Sequence, residues 1–250
     1  MKSVKRKLFL WKNKQVYNMD KSSFSIKEAN FIDSNSILFI RVKVNDLSKA
    51  VEYILKVFKD ESWLKNIEED YLRESIEACT SDTVKELEKN LHHTNDDDVS
   101  KEVGEYVVSE LSRESITDTD AKYKNIPLAE FFKQKISGNP GFDLHMENTD
   151  TKIILFGEAK YVSNKNAYSK AFEQIVRFER EKNDIKDLKD LGPFFSREAL
   201  NKVKPGEKGF IAAFSCTNME TQQLTKNMLA NKDLQQIKNF SETICVAVEL

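Results

Sequence analysis

At 250 residues the chain is long enough to bury a sizeable core, as one large domain or as a core domain with an appendage. Its composition, 40% hydrophobic with few glycines and prolines, excludes a disordered chain. A formal net charge of −2 excludes a whole-molecule polycation, so any nucleic-acid contact must come from a local patch or a partner.

Cys79, Cys216 and Cys245 are widely separated, odd in number and in no Cys-x-x-Cys pattern, which reads as free thiols of a reducing cytoplasm. The basic start, Met1 to Lys7, is followed by an apolar stretch (Leu8 to Trp11) too short for a signal-peptide core. No run approaches a membrane span. The expectation is a soluble, cytoplasmic protein.

Residues 1–95 read as an N-terminal α/β region without recognisable chemistry. The basic cluster from Lys2 to Lys14, with Trp11 among it, offers a phosphate contact, but a solvated tail is the preferred reading. Ser36 to Val44 is β-branched and alternates at its end, predicting a strand; Leu47 to Phe58 repeats apolar residues at helical spacing. Further helices are expected over Trp63 to Cys79 and Thr83 to Leu91. His92-His93-Thr94-Asn95 and the three aspartates that follow form a polar break. Adjacent histidines cannot converge on one ion from a regular element, so this stretch reads as a linker that ends by capping a helix.

The second region, 96–250, opens with a helix from Val99 whose apolar stripe is Val103, Val107, Val108 and Leu111; Glu105, Glu110 and Glu114 lie along it. A short helix is expected from Pro127 to Ile136, then a turn over Ser137 to Gly141. Gly141 to Met146 and Ile153 to Tyr161 read as strands of a hairpin around Glu147 to Thr151. A loop (Val162 to Asn166) leads to an amphipathic helix, Tyr168 to Lys182. A buried-type strand (Lys208 to Ser215), a helix (Thr221 to Asn239) and a last strand (Thr243 to Val248) complete the order.

Side chains alternate across a strand, so Glu158 and Lys160 share a face, and Asp143 on the neighbouring strand can join them. Two carboxylates and an ammonium at the end of an apolar strand are costly unless a cation or a reaction uses them. The spacing alone is weak evidence, because Asp120-Ala-Lys122, Asp150-Thr-Lys152, Asp184-Ile-Lys186 and Asp187-Leu-Lys189 repeat it in polar loops or on helix faces. Only Glu158-Ala-Lys160 ends an unbroken apolar run, Ile153 to Phe156, of the kind covered on both faces of a sheet. Gly157 and Ala159 are small neighbours that let a ligand or a backbone approach. The competing reading is a sheet-edge salt bridge with Asp143 as a turn residue.

The pattern from Asp143 to Glu158-Ala-Lys160 resembles the core of the PD-(D/E)xK nucleases, although Phe142 stands where the motif has proline. The resemblance implies an α/β (α+β) fold: a restriction-endonuclease-like core with a central mixed sheet flanked by helices, in the order α-β-β-β-α-β. One early strand of that order is not evident in the sequence. It further implies that Asp143, Glu158 and the carbonyl of Ala159 hold Mg²⁺ (or Mn²⁺) and that Lys160 orients or activates the attacking water. A helix glutamate that supplements such sites would be Glu105, with Glu110 as competitor. Gln174 followed by Phe178 is similar to the Gln-x3-Tyr element of some of these nucleases. Lys165, Lys170, Arg177 and Arg180 surround the site in sequence and are candidate phosphate contacts, interleaved with glutamates as on any mixed-charge helix.

Gly104-Glu105, Gly141-Phe142-Asp143, Glu158-Ala-Lys160-Tyr161 and Lys170 to Gln174 look most like the HamA-type nucleases of the Hachiman anti-phage defence system, over roughly residues 100 to 250. That resemblance implies a DNase restrained by a partner DNA helicase that senses invading or damaged DNA; composition shows no such partner. The rivals are a catalytically silent nuclease-fold subunit that binds nucleic acid or a partner, and a stand-alone sequence-specific restriction endonuclease.

Overall fold

The computed structural model describes residues 23–91, 100–133 and 141–250. Its strands are β1 (Phe24–Ile32), β2 (Ile37–Val44), β3 (Tyr123–Asn125), β4 (Leu144–Asn148), β5 (Ile153–Lys160), β6 (Lys208–Cys216) and β7 (Glu242–Glu249). The helices among the described residues are α1 (Leu47–Phe58), α2 (Asp70–Leu91), α3 (Lys101–Thr119), α4 (Ala129–Phe132), α5 (Tyr168–Arg180), α6 (Asn183–Leu191), α7 (Arg197–Val203), α8 (Thr221–Leu229) and α9 (Lys232–Ile237).

The strands form one seven-stranded sheet in the order β1-β2-β7-β6-β5-β4-β3. The four central strands run parallel, and the outer hairpins are antiparallel. Parallel strands need cover on both faces, and successive residues here alternate between two cores. Phe39, Phe156, Phe210 and Phe214 face a layer built from α5 to α9. Leu38, Leu155, Ile211 and Val246 face α1 and α3, which bring Ile54, Phe58, Val107 and Leu111. The chain is therefore mixed α/β, with a mixed sheet between helical layers. Ile40 on β2 lies opposite Val246 on β7, so residues 23–91 share this sheet with residues 100–250. No helix among the described residues is long and apolar enough to cross a membrane.

Several expectations need correction. The helices expected over Trp63 to Cys79 and Thr83 to Leu91 are a 3-10 turn, Glu61–Asn66, followed by the single helix α2. Thr80 and Thr83, within α2, are buried, and their hydroxyls donate to the carbonyls of Phe131 and Glu130, both at 2.9 Å. The helix expected over Thr221 to Asn239 is two, because the side chain of Asn231 caps α9 by accepting from the N–H groups of Asp233 and Leu234. The strands β1 and β3 and the helices α6 and α7 were not expected. β1 is an edge strand largely open on both faces, so it carries no clean alternation. The basic cluster Lys2 to Lys14, the stretch His92 to Asp98, residues 134–136 of the expected short helix and the turn residues 137–140 lie outside the described residues.

Candidate active site

The hairpin of β4 and β5 sets the geometry. Leu144 pairs with Gly157, which brings Asp143 opposite Glu158. Asp143 is held at every polar group: its N–H donates to Gly157 O (2.9 Å), its carbonyl accepts from Ala129 N (2.9 Å), and Oδ2 accepts from Ala159 N (2.8 Å). Glu158 is fully buried, and its Oε2 meets no N–H or O–H donor. Lys160 folds back along the strand end, its Nζ 2.5 Å from Glu158 Oε1 and 3.0 Å from Ala159 O.

Of the two candidate helix glutamates, Glu105 comes to this place, its Oε1 3.7 Å from Lys160 Nζ and 3.8 Å from Lys101 Nζ. Glu110 is buried further along α3 and tied by a two-pronged ion pair to Arg113, so it does not join the group. α3 approaches β5 closely because Gly104 rests on the ring of Tyr161.

Three acids around one ammonium shift each other. Burial pushes the carboxyls of Asp143 and Glu105 up, with Lys160 pulling the other way. Glu158 is driven well above the ordinary range by burial and then by the charge of Asp143. Burial pulls Lys160 down, but Glu158, Asp143 and Glu105 together outweigh it and raise its pKa. Lys160 is therefore a fixed positive charge.

Among the described residues no three His, Cys, Asp or Glu side chains converge as a ready ligand set. The donors at the strand end are instead two carboxylates, Asp143 and Glu158, and the Ala159 carbonyl. These are hard oxygen ligands, and Mg²⁺ commonly takes one or two carboxylates and keeps several waters. The undonated Oε2 of Glu158 and the contact of an ammonium with the other two oxygens fit a cation at this place.

The expected nucleic-acid contacts are only partly gathered. Lys165, in the loop after β5, and Lys170, in the first turn of α5, are exposed at the site's end of the helix. Arg177 is exposed but lies about 14 Å along the axis from Tyr168 by helical rise. Gln174 is half-buried, and Phe178 points into the core against Phe142, ring centroids 5.4 Å apart. The expectation for Gly157 also needs correction, since the space over it is filled by Leu144, whose Cγ would lie 2.5 Å from an added Cβ.

Two residues set aside as solvated helix faces are buried. Asp184 pairs with Lys208 at 2.7 Å, and Asp187 lies under the start of β4. Oδ2 of Asp187 accepts from Lys133 Nζ (2.9 Å) and Phe142 N (3.1 Å) and lies 3.1 Å from His145 Nε2. Their sequence signal was faint: both acids sit in a helix with lysines at Lys186 and Lys189, and only the interspersed Ile185, Leu188 and Leu191 hint at a packed side. No protein-family model matches the chain, and no curated protein matches it.

Proposed function

We propose that the chain is a metal-dependent DNA endonuclease on a restriction-endonuclease-like core. The observation that carries this reading is the half-buried Asp143 beside the buried Glu158, closed by the ammonium of Lys160 at the end of β5. With the short helices α4, α6 and α7 counted as insertions, the order α3, β3, β4, β5, α5, β6 supports it, since it follows α-β-β-β-α-β with the three-residue β3 in the place of the early strand. In the HamA-like version of the reading, the enzyme is a defence effector restrained by a partner helicase, and that version rests on the sequence resemblance alone.

In this reading Asp143 and Glu158 present their oxygens from adjacent strands, with the Ala159 carbonyl between them. Bound there, Mg²⁺ or Mn²⁺ would supply a Lewis acid toward the scissile phosphate and a water of lowered pKa. Lys160 turns off Glu158 Oε1 and Ala159 O toward the phosphate, where its charge stabilises negative charge developing on oxygen. Glu105 limits how far that ammonium swings. Lys165 and Lys170 meet flanking phosphates.

One observation favours a second reading. Lys160 satisfies two of the three ligand oxygens by itself, which suits a silent subunit that binds DNA or a partner without cutting. Incubating the purified chain with supercoiled and linear DNA, in Mg²⁺ and in EDTA, separates these readings. Metal-dependent breakdown without preferred fragments supports the defence nuclease, whereas discrete fragments indicate a restriction endonuclease. DNA retention without cleavage, alone and with the neighbouring gene's product, supports the silent subunit.

A further inference from the structure

The carboxylate of Asp187 collects its contacts from both sides of Asp143. Phe142, the residue before it, donates its N–H to Oδ2; His145, two residues after it, places Nε2 at the same oxygen. Lys133 completes the set, with Nζ 2.9 Å from Oδ2 and 3.4 Å from the Phe142 carbonyl. A Cβ at Gly141 would lie 2.9 Å from Lys133 Nζ and 3.1 Å from Asp187 Oδ1, so the glycine leaves room for this pair. Asp187 and His145 are both buried.

A buried carboxylate is stable only where donors converge on it, and this one is held below the ordinary range by His145 and Lys133 against the effect of burial. It therefore stays ionised and rigidly bound. Its three donors fix the peptide entering Asp143 and the side chain leaving it, while the Asp143 backbone is pinned to Gly157 and Ala129. A ligand carboxylate held in this way cannot drift from Glu158.

We propose that Asp187 is a positioning residue for Asp143, setting the affinity of the cation site formed by Asp143 and Glu158. This rests on the nuclease reading of that site. Asp187 touches neither the cation nor the substrate; it acts through the Phe142 peptide.

The test is Mn²⁺ binding to the full chain, followed by electron paramagnetic resonance and calorimetry, with Glu158→Gln as the blank. Asp187→Asn should weaken binding by about tenfold or more, as outer-shell changes do, while Asp184→Asn stays within about twofold of wild type. Asp184 is the control because it is an equally buried, lysine-paired carboxylate on the same helix, directed at β6. Thermal midpoints of both variants separate lost stability from lost affinity. Should Asp187→Asn not fold, Lys133→Met removes one donor from the same oxygen and should weaken binding in the same direction. Wild-type binding that Glu158→Gln abolishes and that Asp187→Asn or Lys133→Met leaves unchanged overturns the positioning role alone. Wild type that binds no more Mn²⁺ than Glu158→Gln overturns the cation site and this proposal together.

Discussion

Gly104 lies on the ring of Tyr161 with no room for a side chain: a Cβ there would fall 2.3 Å from Cγ of the ring. This contact lets α3 bring Glu105 within 3.7 Å of Lys160. Gly104→Ala gains up to about 1 kcal/mol of helix propensity and loses about 1–3 kcal/mol to overpacking, so the net effect is destabilising. Urea denaturation should show a lower midpoint for Gly104→Ala, recovered when Tyr161→Ala is added. A midpoint at or above wild type would mean that the ring simply moves aside.

Phe142 stands where the motif of the resembled nucleases has proline, and the structure supplies a reason. Its N–H is one of the donors to Asp187, and its ring packs against Phe156 and Phe178, centroids 5.4 Å away in each case. Phe142→Leu keeps the N–H and should cost about 1–3 kcal/mol. Phe142→Pro loses the bond to an ionised acceptor as well, a further loss of about 1.5–3 kcal/mol. Equal stability of the two variants would show that the N–H contributes little.

His145 gives the fold a defined acid sensitivity. Burial, and then the charge of Lys133, pull its pKa down from 6.5 to about 4. Between those values the unfolded chain binds more protons than the folded one, so this group's effect is to lower stability as pH falls through that window, by on the order of 3 kcal/mol in total. The raised carboxyls of Asp143, Glu158 and Glu105 act in the opposite direction, so the whole-protein curve mixes the two. Comparison with His145→Gln isolates the histidine: the stability of the variant relative to wild type should improve as pH falls from about 7 to about 5. Parallel curves would place the proton elsewhere.

If Asp143 and Glu158 hold a cation, Mg²⁺ stabilises the folded state by mass action. The thermal midpoint of wild type should rise with Mg²⁺ concentration, while those of Asp143→Asn and Glu158→Gln stay flat. An equal rise in all three would point to a cation bound at another place.

The legible part of this chain was the part whose chemistry interrupts a strong pattern. Glu158 and Lys160 stood out because β5 is apolar on both faces, so a charge at its end has no solvated explanation. The acids of α6 did not, because Asp184 and Asp187 alternate with lysines in the way an exposed helix does; their burial depends on Lys208 and Lys133, distant in sequence. β3 is three residues long and takes its form from pairing with β4, so it had no period of its own to read. Glu105 was preferred to Glu110 from the sequence, and what separates them in the structure is Arg113, one turn beyond Glu110 on the same helix, together with the close approach allowed by Gly104.

The most direct test of the central claim is cleavage of supercoiled DNA in Mg²⁺ by wild type and by Lys160→Ala, assayed alone and together with the product of the neighbouring gene. Lys160 is the charge held against Glu158, and its loss should leave folding intact while lowering the cleavage rate by about 100-fold or more. Cleavage by wild type that disappears in EDTA and in Lys160→Ala is the predicted result. Full cleavage by Lys160→Ala, or none by wild type under either condition, would contradict the account.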